Sequence, residues 1–510
     1  MKHLRILIPF VYLCTLPLFS NAQDCADKVE RKGIEVEQNT DTKKSLLISA
    51  VNRLATDSAL KNGQSGIVVM DAQTGEILAS HNSCMSVIPA SNMKIVTTAA
   101  TLGILGENFR FRTELQHDGM VRDSILYGNV FIKGYGDPTL ASPEFEGIPS
   151  MAAVLDSFSD KIKALGIKKI VGKIVGDGSV FEPMTAVPTW LWEDLGNYYG
   201  VGPSGLNFHE NLYNLNFIQN PNIGSTPSVL GASPQVPDFQ LINEVKNAKG
   251  GGDNAYIYST PYATVGTIGG KIPAGDKIFT INGALPDPPY FAAWHLRKRL
   301  IENGIDVSDS ATTQLKLEQK NEPLRLRQTF YAWFSPTLGT IIKRTNLESV
   351  NLYCEAFVRT IGLQRMGMGT NDVGTAEIAR YWRSKGVDTE GLFMQDGSGL
   401  SPRNGVTALQ LASILRNVVG DSLVFPSFYA SLPEAGKTGT MKGMFRTNFA
   451  AQQRIRAKSG TITRVKSYSG YVTTMDGKLL AFSAICNNFT CSQRDMRLKL
   501  EQFMSDLLAY

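Results

Sequence analysis

The chain has 510 residues, of which 43% are hydrophobic and 19% charged, with a formal net charge of +5 and a pI near 8.7. That length holds two or more domains around a large core, and the proportions belong to a globular protein rather than a disordered one. The positive charge is dispersed, and no Lys/Arg tract marks a nucleic-acid partner.

Lys2 and Arg5 precede an apolar run, Ile6 to Phe19, and Ser20-Asn21-Ala22 forms a small-residue cleavage site, so residues 1–22 read as a signal peptide. The run is short for a membrane span, and no other stretch approaches about 18 apolar residues. The mature chain is therefore expected to be exported and soluble, without a stable membrane anchor. Of the six cysteines, Cys14 lies in the leader. Among Cys25, Cys84, Cys354, Cys486 and Cys491, the last two are near enough in sequence to pair in an oxidising compartment, which spacing alone does not establish. The histidines are scattered and no Cys-x-x-Cys occurs, so neither a metal site nor a cofactor is expected.

Residues 23–43 are polar and charged, a lead-in to an amphipathic helix over Lys44 to Leu60. Gly66–Met70 and Glu76–Ser80, joined by Asp71-Ala-Gln-Thr-Gly75, predict a hairpin. Pro89 and Ala90 then introduce a helix running to about Leu105, with Ser91 in its first turn. From Arg110 to Leu324 short β-like runs (Ile125–Ile132, Lys169–Val175, Ala255–Tyr258, Lys277–Ile281) alternate with Gly/Pro-rich turns. One helix, Tyr290 to Asn303, interrupts them, and Asn220 to Pro237 reads as a surface loop. Helical periodicity returns over Thr337–Leu363, Thr375–Lys385 and Thr407–Val419. Arg454–Lys458, Tyr468–Thr473 and Leu479–Cys486 predict adjacent antiparallel strands, and Arg494–Leu508 a closing helix. The expected organisation is one domain in two parts, 23–109 and 325–510, split by a mostly β insertion over 110–324.

Within the helix opened by Pro89, Ser91 and Lys94 are three residues apart and share a face, about 5–6 Å between Cβ atoms. A hydroxyl and an amine so placed form a nucleophile–base pair without histidine. The helix N-terminus adds free N–H groups and partial positive charge beside any oxyanion formed there. Alone, Ser-x-x-Lys is weak. Two further motifs strengthen it: Ser349-Val350-Asn351 on a helical segment, and Lys458-Ser459-Gly460-Thr461 on a strand. In this order they resemble the penicillin-recognising serine D,D-peptidases and serine β-lactamases. Gly134-Tyr-Gly-Asp-Pro-Thr-Leu140, Gly202-Pro-Ser-Gly-Leu-Asn207 and Asp396-Gly-Ser-Gly-Leu-Ser401 extend the match to the class C low-molecular-mass penicillin-binding proteins, which carry a large insertion between the first two motifs.

The resemblance implies an α/β (α+β) fold, a β-lactamase/transpeptidase-like domain whose antiparallel sheet is flanked by helices. It also implies D-Ala-D-Ala carboxypeptidase activity, with endopeptidase activity frequent in the family. Peptidoglycan stem peptides and β-lactams are the implied partners and the periplasm the implied location. Ser91 would be the nucleophile and Lys94 its base, with Ser349 a proton relay and Asn351 holding Lys94. Lys458, Ser459, Gly460 and Thr461 would receive the substrate carboxylate, with the Ser91 and Thr461 N–H groups as oxyanion hole. Burial and the nearby Lys458 would both lower the Lys94 pKa. Asp177 matches an acidic position that in the family recognises the charged end of a stem-peptide side chain, although a turn aspartate before glycine accounts for it equally well. Asp137 reads as a turn former. Val350 and Ser459 depart from the commoner polar residue and threonine.

Lys437-Thr438-Gly439-Thr440 copies the third motif more literally. It lies in a loop, whereas Lys458 lies on a strand, so Lys458 is the expected site lysine. A serine β-lactamase is the alternative reading; it lacks support from a deacylating glutamate motif, and the long gap from Ser91 to Ser349 argues against it.

Overall fold

Apolar side chains fill nearly every position of Ile67–Met70 and Leu480–Cys486, the pattern of strands covered on both faces. In the computed structural model, which describes residues 42–323 and 325–510, these strands lie at the centre of a five-stranded sheet. Its order is Ile77–His81, Gln64–Asp71, Leu479–Asn487, Val465–Thr473, Ile455–Ile462, antiparallel throughout. Alternation assigns each side chain to a face. Ile67, Val69, Phe482 and Ala484 pack with the helices Thr42–Ala55 and Gln493–Asp506. Val68 and Met70 meet Ala408 and Ala412 on the opposite face. On that face the helices Met93–Leu105, Leu338–Glu348, Asn351–Met366 and Asn371–Ser384 share one core, which includes Val96, Phe357, Ile361 and Trp382.

The region after Arg110 has its own core around Leu115, Ile132, Phe158, Phe208 and Phe291. It contains four sheets of three to five strands. Two long helices accompany them, Met151–Ala164 and Pro288–Glu302. The first was not expected, although Val154, Leu155, Phe158 and Ile162 have helical spacing and Ser150 caps Ala153 N–H. In this region's own five-stranded sheet, Arg327–Phe334 forms an edge against Arg112–Asp118. Within 220–237, expected as a loop, Ser228–Ser233 pairs with Leu212–Ile218.

Cys486 and Cys491, near enough in sequence to pair, are both free thiols. Cys486 points from its strand into the core, whereas Cys491 lies beyond the strand end. Cys84 is disulfide-bonded. The expected signal peptide and most of the polar lead-in, through residue 41, lie outside the described residues. Among the described residues no helix is long and apolar enough to cross a membrane, and no group of His, Cys, Asp and Glu is arranged to hold a metal ion.

Candidate active site

The site forms where the Ser91 turn, a break between two helices and the sheet's edge strand converge. Ala90–Asn92 is a tight 3-10 turn leading directly into Met93–Leu105. Ala90 sits at φ 48°, a left-handed conformation that costs an alanine about 1–2 kcal/mol. Gly399 of the Asp396 loop lies against this turn, and a Cβ there would collide with the Ala90 carbonyl. The turn is thus held from outside.

Lys94 is fully buried. Its Nζ donates to Ser91 Oγ (3.1 Å), Asn351 Oδ1 (2.6 Å) and the Ser398 carbonyl (2.8 Å). Burial pushes its pKa down, against the raising influence of Cys354, Glu355 and Asp396. The neighbouring cation acts elsewhere than expected: burial and then Lys94 push Lys458 well below the ordinary lysine range.

The helical periodicity over Thr337–Leu363 resolves into two helices, Leu338–Glu348 and Asn351–Met366, with Ser349 and Val350 between them. Ser349 adopts the left-handed conformation (φ 59°, ψ 37°) that ends a helix. Val350 packs toward the core. Asn351 then begins the next helix, and its Nδ2 donates to the Tyr199 carbonyl (2.8 Å), a contact from the insertion. Periodicity misses this break because both helices present apolar faces to the same core.

Lys458, on Ile455–Ile462, donates to Ser349 Oγ (2.9 Å) and to the Ser459 carbonyl (2.8 Å). Thus Ser91–Lys94–Asn351 and Ser349–Lys458 are two adjoining hydrogen-bonded groups. A Cβ on Gly460 would stand 2.6 Å from the Pro89 carbonyl and 3.1 Å from Ser91 N, so glycine lets the strand approach the Ser91 turn. Ser467 Oγ donates to the Pro89 carbonyl (2.7 Å). Asn92 is fully buried, oriented so that Nδ2 donates to the Lys458 carbonyl (2.8 Å) and Oδ1 accepts from Ser469. Thr461 is exposed and its Oγ1 accepts from Lys466 Nζ (2.7 Å).

Lys437 is half-exposed and ion-pairs with Glu434 (3.5 Å) rather than joining this cluster. Its motif nevertheless contributes: Ser459 Oγ donates to Thr440 Oγ1 (2.8 Å). Sequence reading set that segment aside and so missed Thr440. It also missed Glu355, whose buried carboxylate accepts from Ser398 N–H (2.7 Å) and Gly397 N–H (3.2 Å). The carboxylate of Asp396 shapes the same loop by accepting from Gly399 N–H, Ser401 N–H, Asn404 Nδ2 and the Trp190 indole of the insertion.

Asp177 is not brought into the Ser91 cluster. It is 1% exposed and pairs with Lys133 (3.2 Å) and Arg327 (2.5 Å), while Oδ1 accepts from Ser179 N–H (2.9 Å). Burial raises its pKa, but Lys133, Ser179 and Arg327 outweigh that and hold it below the usual range. Its charge is therefore already matched by two protein cations. Asp137 accepts from Thr139 N–H (2.8 Å) and Thr139 Oγ1 (2.7 Å), as a turn former does.

A serine hydroxyl hydrogen-bonded to a desolvated lysine, with a second serine–lysine pair beside it, is an arrangement able to act as nucleophile and base. Comparisons agree with that class. A "D-alanyl-D-alanine carboxypeptidase" of Actinomadura sp. (strain R39) is 29% identical over 451 residues, 86% of this chain and 80% of that protein. "D-alanyl-D-alanine carboxypeptidase DacB" of Haemophilus influenzae is 23% identical over 458 residues, covering 87% and 90%. The crystal structure of penicillin binding protein 4 (dacB) from Haemophilus influenzae superimposes with a TM-score of 0.77 at 22% identity, covering 92% of this chain and 99% of that one. The D-Ala-D-Ala carboxypeptidase 3 (S13) family model matches residues 47–507. The chain belongs to this family, within the class C penicillin-binding proteins, and is a serine-type carboxypeptidase.

Proposed function

We propose that Ser91 Oγ attacks the carbonyl of the penultimate D-Ala of a peptidoglycan stem peptide, passing its proton to Lys94. The resulting tetrahedral oxyanion is held by the Ser91 and Thr461 N–H groups, donors of a kind worth about 2.7–4 kcal/mol. Ser349, fed by Lys458, delivers a proton to the leaving amine, and an acyl-enzyme remains until water hydrolyses it. Asn351 keeps the Lys94 amine in place, and Lys458, Ser459 and Thr461 receive the terminal carboxylate. The observation that carries this reading is the fully buried Lys94 Nζ, 3.1 Å from Ser91 Oγ and with its pKa lowered. The same cleft would cleave cross-linked peptides where the leaving amine belongs to a second stem.

β-Lactams are proposed as covalent inhibitors. The Haemophilus influenzae protein has been solved complexed with a novel beta-lactam, at a TM-score of 0.71 to this chain. Export to the periplasm is the proposed location, supported by the leader pattern and by a disulfide at Cys84. Asp177 is not included in the substrate site, because its carboxylate is ion-paired within the protein.

Ser91→Ala should abolish both D-Ala release from muropeptides, followed by mass spectrometry, and covalent labelling by fluorescent penicillin. Persistent labelling of that variant would remove Ser91 as nucleophile. Rapid turnover of a chromogenic cephalosporin would instead favour a β-lactamase.

A further inference from the structure

Glu355 is an unusual occupant of its helix. It is 1% exposed, and both of its oxygens are taken by main-chain N–H groups of the Asp396 loop. Among the described residues no side-chain cation hydrogen-bonds to it; the nearby Arg359 is tied to Glu182 and to the Pro203, Met184 and Thr185 carbonyls. Removing a carboxylate from water costs several kcal/mol, and an apolar side chain would suit that core better if packing alone were at stake.

What the carboxylate holds explains its place. It fixes the Gly397 and Ser398 N–H groups, and the carbonyls of the same two residues accept from Thr97 Oγ1 (2.7 Å) and Lys94 Nζ (2.8 Å). Ser398 is thus held at its N–H by Glu355, while its carbonyl, in the next peptide group, whose Gly399 N–H donates to Asp396 Oδ1 (2.8 Å), accepts from the base amine. We infer that Glu355 is a positioning residue for Lys94: it aims the Ser398 carbonyl at the amine, and its charge sets the pH at which that amine becomes a base. The inference rests on the nucleophile–base reading of Ser91 and Lys94.

The ionisable groups around Glu355 are Cys354 and Arg359 on its own helix, Lys94 on the nucleophile helix and Asp396 on the loop, with Lys458 of the edge strand beyond Cys354. Burial and then Asp396 push the Glu355 pKa up to about 7. Burial of Cys354 pushes its thiol up to about 12, so it is neutral near pH 7. An ionised Glu355 favours the ammonium form of Lys94; a neutral one releases the amine.

The test is the second-order rate of acylation by fluorescent penicillin, from about pH 5 to about pH 10, spanning the range in which these groups titrate. It compares the wild-type chain with Glu355→Gln and Glu355→Asp. Glu355→Gln removes the charge and keeps one acceptor, so its ascending limb should move to lower pH by about half a unit or more. Glu355→Asp keeps the charge but shortens the reach, so its limb should stay in place while the plateau falls by about tenfold or more. A lowered plateau with an unmoved limb in Glu355→Gln overturns the inference and leaves Glu355 a structural residue. If Glu355→Gln does not fold, Glu355→Asp decides, since a displaced limb there overturns the inference equally. Labelling of Ser91→Ala would be a separate failure, that of the nucleophile assignment.

Discussion

In the proposed mechanism Lys94 must be uncharged to accept the Ser91 proton, and its complete burial supplies the main reason that it can be. Arginine at that position would keep a permanently protonated cation in reach of Ser91. Lys94→Arg should therefore lose acylation by about 100-fold or more while folding, as read by penicillin labelling and circular dichroism. Asp137 illustrates a different use of burial. Its pKa is raised to about 6 by desolvation, although Thr139 pulls it down, and its Oδ2 has no hydrogen-bond partner among the described residues. A raised carboxyl pKa gives stability that is full below the unfolded value of 3.8 and lost as pH rises through about 6. Asp137→Asn should gain on the wild type between those limits, by on the order of 3 kcal/mol at most, in melting curves recorded across that range.

At the level of elements, the site depends on how closely the edge strand meets the nucleophile turn. Gly460→Ala would place a methyl against the Pro89 carbonyl and Ser91 N. Separating the two elements should cost about 1–3 kcal/mol and most of the labelling, measured by denaturant unfolding and by gel fluorescence. The Ser349 break has similar weight, since a continuous helix through 349–351 would not present Ser349 Oγ to Lys458 and Asn351 to Lys94 together. Glycine 460 was visible in the motif. The need for a helix break at Ser349 was not, because the left-handed residue is a serine and carries no glycine signal.

Across the whole molecule, the region proposed as an insertion is hydrogen-bonded to the elements that carry the proposed site. Arg359, 1% exposed on the helix that Asn351 begins, bonds to Glu182, Pro203, Met184 and Thr185 of the insertion. Tyr199 and Trp190 reach Asn351 and Asp396 from the same region. Arg359→Ala leaves three insertion carbonyls without that donor and should destabilise the chain by about 3–5 kcal/mol, seen by calorimetry, with acylation slowed because Asn351 loses its support.

Local spacing was enough to read the Ser-x-x-Lys turn, the three motifs in order, the central strands and the strand position of Lys458, because each depends on which residues suit a buried strand or a helix start. Other contacts are visible in the folded chain alone: Asp177 meets Lys133 and Arg327, Thr440 joins Ser459, and Glu355 and Tyr199 stand behind Lys94 and Asn351. Those contacts join segments far apart in the chain. Neither periodicity nor motif spacing specifies which buried charge will find which partner, since that depends on the packed geometry of elements contributed by both the domain and its insertion.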